Sequence, residues 1–104
     1  MAALPVELHP DALAEARAAR LWYAQRSPSA ALRFLSELDH AIEQVALHAT
    51  RWPEHLHGTR RYVLRRFPYL LVYRFNAERV EVIACQHGRR RPGYWRDRLA
   101  RPHG

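Results

Sequence analysis

The chain contains no lysine: all 17 of its basic residues are arginine. It has a single cysteine, Cys85, which excludes an internal disulfide and any Cys-x-x-Cys metal or redox motif. Serine occurs only at positions 27, 29 and 36, at the start of or inside one predicted helix. None sits on a nucleophile elbow, so a serine-based catalytic triad is not expected. No run of about 18 apolar residues exists, so no membrane-spanning helix is expected. The N-terminus lacks a basic start followed by a long apolar stretch, so a signal peptide is not expected and the cytoplasm is the expected compartment. The seven histidines are dispersed apart from His55 and His57, and no His-Glu-x-x-His spacing occurs. Neither a metal nor a cofactor is expected.

What remains is an ordinary globular composition. The 104 residues are 48% apolar, with no repeat, linker or low-complexity segment. That length suits one domain over residues 1–104, able to bury roughly two-thirds of its unfolded surface without staples. Cys85 falls in the apolar run Val82-Ile83-Ala84-Cys85 and reads as core filler.

Charge is divided unevenly along the chain. Residues 1–58 carry five arginines against seven acids, a net of −2, and residues 59–104 carry twelve against three, a net of +9. Such asymmetry points to an anionic partner for the basic half, either nucleic acid or an acidic protein segment. A GC-rich genome could account for arginine in place of lysine, but not for the clustering.

Leu4 to His9 alternates apolar and polar positions, as a short half-buried strand does. After His9-Pro10-Asp11 the period changes, and Ala12, Ala16, Ala19 and Tyr23 form one helical stripe. Ser27-Pro28 reads as a helix cap followed by a first-turn proline. Ala31, Phe34, Leu38, Ala41 and Val45 then mark a second helix, with Leu35 and Ile42 widening its stripe and an end near His48-Ala49. The short connection predicts an antiparallel helical hairpin. Arg51 to Thr59 is a loop, and Arg60 to Phe67 a strand stopped at Pro68. Tyr69 to Phe75 and Arg79 to Gln86 form a β-hairpin across Asn76-Ala77-Glu78. In the last strand Val80, Val82 and Ala84 alternate with Glu81, Ile83 and Cys85. Tyr94 to Leu99 suits a final helical turn, and Arg101 to Gly104 are expected to fray. The order β-α-α-β-β-β predicts an α+β fold, with an N-terminal strand and an α-helical hairpin packed on a mostly antiparallel β-sheet.

The residues that invite chemistry are basic and aromatic. Arg61 and Arg65 share a predicted strand face. Arg89, Arg90 and Arg91 leave the last strand, and Tyr94, Trp95, Arg96 and Arg98 follow. Guanidinium forks suit phosphate or carboxylate, and aromatic faces suit bases. Such a set could bind RNA and stabilise a transferring phosphoryl group, or it could be a solvated surface meeting an acidic partner. His87 could act as a general acid or base, or orient the tail through a backbone bond. Tyr69 and Tyr73 share a strand face and read as core.

The second half of the chain also carries a recognisable pattern. An arginine-rich strand (Arg60 to Arg66) leads into the corner Phe67-Pro68-Tyr69. The hairpin strand holds Val72-Tyr73-Arg74, and the last strand ends in His87-Gly88-Arg89-Arg90, followed by Tyr94-Trp95-Arg96. In these motifs the chain resembles the RelE/ParE superfamily, the toxins of bacterial type II toxin–antitoxin pairs, and most closely its ParE-like branch of plasmid stabilisation proteins. The resemblance implies the same fold and a cognate antitoxin that wraps the toxin with an acidic, amphipathic segment. It also implies one of two activities. ParE-like members inhibit DNA gyrase without chemistry of their own, for which Arg89, Arg90, Arg91, Tyr94, Trp95 and Arg96 would form the effector surface. Ribonuclease members cut messenger RNA on the ribosome, for which Arg61, Arg65, His87, Arg90 and Tyr94 would be the set. That branch commonly has an arginine where this chain has Leu70, and paired basic residues where it has Arg61 and Val63. The pattern therefore favours the gyrase inhibitor. The remaining alternative is an inactive basic binding module of the same fold.

Overall fold

A computed structural model describes residues 3–100. Its elements are β1 (Val6–Leu8), α1 (Pro10–Ala24), α2 (Pro28–Leu47), β2 (Arg60–Val63), β3 (Tyr69–Phe75) and β4 (Val80–His87), with short 3-10 turns at Leu56–Gly58 and Arg96–Ala100. The architecture is α+β, as the element order predicts. The sheet order is β1-β4-β3-β2, antiparallel except for β1, which runs parallel to β4. The predicted fraying of residues 101–104 lies outside the described residues.

Each helix starts where local chemistry satisfies its first free N–H groups. His9 caps α1 by accepting the Asp11 N–H on Nδ1 at 3.0 Å, and Pro10 opens the first turn. Ser27 caps α2 by accepting the Ala30 N–H at 3.3 Å, with Pro28 behind it. The small stripe Ala12, Ala16 and Ala19 is buried and lets α1 lie close to α2 and β4. On α2, Ala31, Phe34, Leu38, Ala41 and Val45 are buried. Leu35 does not widen that stripe as predicted: it remains 40% exposed, lining an open cleft between α1 and α2.

The main core lies between the helical hairpin and one sheet face, built on Leu71, Tyr73, Val80, Val82 and Cys85. Tyr73 is fully buried, and its hydroxyl donates to the Ala49 carbonyl at 2.7 Å. A second cluster, Val72, Ile83, Ala84 and Trp95, fills the opposite face. Two strand expectations are corrected. The strand predicted over residues 60–67 ends at Val63, and the Arg65 and Arg66 N–H groups turn to the Glu37 carboxylate of α2 instead of a sheet partner. The strict alternation predicted for β4 is broken by a bulge: Val72 pairs with Ala84 but Tyr73 with Val82. The extra residue, Ile83, shifts the pleat. Ala84 therefore faces away from Val82, and Cys85 joins Val82 in the main core.

Candidate functional site

The segment after β4 folds back across the second face of the sheet. Its anchor is Trp95, which is fully buried against Val72, Ile83 and Ala84 and donates its indole N–H to Gln86 Oε1 at 3.1 Å. Gln86 is itself buried and holds the Arg90 carbonyl at 3.3 Å through its amide nitrogen. The tail thus begins on a fixed path. Gly93, with φ +82°, supplies the left-handed turn between the arginine run and Trp95.

A carboxylate on α1 fixes the rest. β1 is three residues long, so its ladder on β4 stops at Val82 and leaves the β4 edge open beyond that point. Glu15 and Arg98 close it. Glu15 accepts the Cys85 N–H at 3.1 Å, and Arg98 donates to the Ile83 carbonyl at 3.1 Å. The two side chains also pair fork to fork at 2.8 and 3.0 Å, with the second guanidinium bond running to Oε2. Tyr94 donates its hydroxyl to Oε2 at 2.5 Å, and Arg90 reaches the same oxygen at 3.6 Å. The Arg90 guanidinium lies 3.6 Å from the Tyr94 ring centre, a cation–π contact. Burial, then the hydrogen bond to Glu15, holds the Tyr94 phenol well above its ordinary pKa. Burial alone would lower the pKa of Arg98, but its bonds to Glu15 outweigh that and raise it.

Against this geometry the predicted residues divide. Arg90 and Tyr94 are brought together, in contact with each other and with Glu15. Arg89, Arg91 and Arg96 are exposed on the same segment. Trp95, expected in the effector surface, is buried against the apolar second face of the sheet with Val72, Ile83 and Ala84. The ribonuclease set is not assembled as one site. Arg61 pairs with Val72 and so shares the second face of the sheet, whereas His87, two residues beyond Cys85, faces the helices beside Tyr69. Arg65 lies past the end of β2, at the turn gripped by Glu37. His87 accepts the Arg89 N–H on Nδ1 at 3.1 Å, so its position is tied to the start of the tail.

Glu15 is the residue that sequence reasoning missed. Its signal was its place on α1, three residues after Ala12 and four before Ala19, at the margin of an apolar stripe. A carboxylate there needs a cation partner. Among the described residues no group of three or more His, Cys, Asp or Glu is placed to hold a metal ion, and no helix is long and apolar enough to cross a membrane.

Residues 6–92 match the family described as the ParE toxin of the type II toxin–antitoxin system parDE. The chain belongs to the ParE toxin family. Its fold is similar to that of a solved structure described as the chromosomal ParDE TA system from P. aeruginosa, with a TM-score of 0.71 at 17% identity. That likeness covers 81% of this chain and 95% of the other. No curated protein matches the chain. The matched family region ends at Pro92, so it includes β4 and the arginine run but not Tyr94, Trp95 or Arg98. In this ParE-family chain those last residues are held to the family core by Glu15 and by the second apolar cluster.

Proposed function

We propose that this ParE-family chain is the toxin of a type II pair, that it binds and inhibits DNA gyrase, and that a cognate antitoxin neutralises it. The family match over residues 6–92 carries the reading. The effector surface would be the tail segment, where Arg89, Arg91 and Arg96 are exposed beside the half-exposed Arg90. Tyr94 and Trp95 would position that surface and not touch the target. Arginines on a fixed segment suit recognition of an acidic protein surface, because little side-chain order is lost on forming each forked bond.

The antitoxin would lie along the helical hairpin, where Leu13 on α1 and Leu35 on α2 line an open cleft with Ile42, and Arg17 and Arg20 stand beside it. An amphipathic helix bearing acidic residues fits that combination. The separation of Arg61 from His87 by the sheet, and an apolar Leu70, weigh against the ribonuclease alternative. Expression of the chain alone tests the proposal. Growth arrest with filamentation and a DNA-damage response supports gyrase as target, and co-expression of the antitoxin should relieve it. Arrest with rapid loss of protein synthesis and no damage response would overturn it in favour of RNA cleavage. Unimpaired growth with folded protein would favour the inactive module.

A further inference from the structure

A groove of about 440 Å³ opens on the helix side of the sheet, between α1 and the ends of β3 and β4, and meets the tail segment at Arg90. Ligand clefts run from about 300 to 1,000 Å³, so this one has room for a single small ligand. Its walls are unusually aromatic. Trp22 presents a 48% exposed indole, and Tyr69 and His87 meet edge to face with ring centres 5.1 Å apart. Ala18 and Ala19 on α1 leave the space between them open.

At the groove's inner end Arg90 is the exposed cation of a mixed-charge cluster, in which Glu15 pairs with Arg90 and Arg98, and Arg98 also meets Asp11 at 3.6 Å. Glu15 stands at the inner end, but its oxygens are occupied by Arg98, Tyr94 and the Cys85 N–H, and its charge is balanced by the forked Arg98. Arg90 lines the same end and is half exposed. Arg26 stacks on one face of Trp22 at 3.6 Å from the ring centre, so a ligand base would use the other face of the indole or its edge. His87 Nδ1 is taken by the Arg89 N–H, which leaves the other ring nitrogen as a donor. Flat π-surfaces beside fixed donors and a guanidinium are the chemistry that takes an aromatic base carrying a phosphate. An extended peptide is less well suited, because the two strand ends here offer no free ladder: Gly88 N–H is already bonded to the Pro68 carbonyl at 2.7 Å.

We propose that this groove is a binding site for a purine nucleoside monophosphate, its base against Trp22 and His87 and its phosphate at Arg90. The proposal stands apart from the gyrase reading and is tested without it. Calorimetric titration of the full chain with adenosine monophosphate should show saturable 1:1 binding. Adenosine and inorganic phosphate, each lacking half of the ligand, should bind at least about tenfold more weakly. Trp22→Ala and His87→Ala should each weaken binding by a similar factor, and Arg33→Ala, on the outer side of α2, should not. Thermal melting of each variant confirms that it is folded. Absence of binding at millimolar nucleotide would overturn the proposal, as would binding that survives both groove substitutions. Tighter, groove-dependent binding of a single-stranded oligonucleotide or an acidic peptide than of the mononucleotide would also overturn it.

Discussion

Removing the Glu15 carboxylate should loosen the tail from the rest of the molecule. Glu15 and Arg98 have side chains only 16% and 15% exposed, so solvent screens their pairing little. Glu15→Ala takes the shared carboxylate from the Tyr94 hydroxyl, the Cys85 N–H and the Arg98 guanidinium at once, leaving Arg98 only the Ile83 carbonyl and an exposed Asp11 at 3.6 Å. Breaking a buried pair from one side costs about 3–5 kcal/mol. At about 4–8 °C per kcal/mol for a domain of this size, the melting temperature should fall by more than about 12 °C. Because total stability is typically about 5–15 kcal/mol, Glu15→Gln is the safer probe, expected to cost about 1–3 kcal/mol for unmet hydrogen bonds. A double-mutant cycle of Glu15→Gln with Arg98→Met by urea unfolding isolates the pair, since methionine keeps much of the arginine stem in place. The coupling should be about 2 kcal/mol, accompanied by faster amide exchange at Cys85. A coupling below about 0.5 kcal/mol would mean that the two sites act independently and would refute the reasoning.

Three further outcomes follow from the same structure. Burial pushes the Cys85 thiol from 9.0 up to about 12, so the unfolded chain ionises first and stability should fall as pH rises above about 9, by up to about 1.4 kcal/mol per pH unit. Urea unfolding at a series of pH values should show that slope reduced in Cys85→Ala. Ser27→Ala removes the α2 cap and should cost about 1 kcal/mol in thermal or chemical unfolding. Trp95→Phe should lose about 1 kcal/mol with its hydrogen bond to Gln86, and Trp95→Ala about 3–5 kcal/mol, so any loss of activity in the latter should track its loss of folded protein by circular dichroism.

The helical hairpin was legible because its signals are local. Ser27-Pro28 and the spacing of Phe34, Leu38, Ala41 and Val45 depend on nothing beyond one helix, and β3 runs over the predicted Tyr69 to Phe75. The bulge at Ile83 was not legible, since an alternating apolar run looks the same with or without an extra residue until its partner strand is known. Trp95, set among arginines, read as surface. Its burial follows from a count of faces: β3 and β4 are apolar on both sides, but the two helices cover only one, so another element had to cover Val72 and Ile83. Glu15 became meaningful only once a three-residue β1 had left the β4 edge open. The exposed arginines at 89, 91 and 96 were visible in the sequence as a cluster, but their common segment and its fixed path depend on these distant contacts.

A supercoiling assay tests the central claim most directly. Purified chain added to DNA gyrase and relaxed plasmid should block supercoiling at stoichiometric excess. A folded Arg89→Ala, Arg91→Ala, Arg96→Ala variant should lose most of that inhibition. Supercoiling left untouched by the folded wild-type chain would contradict the account.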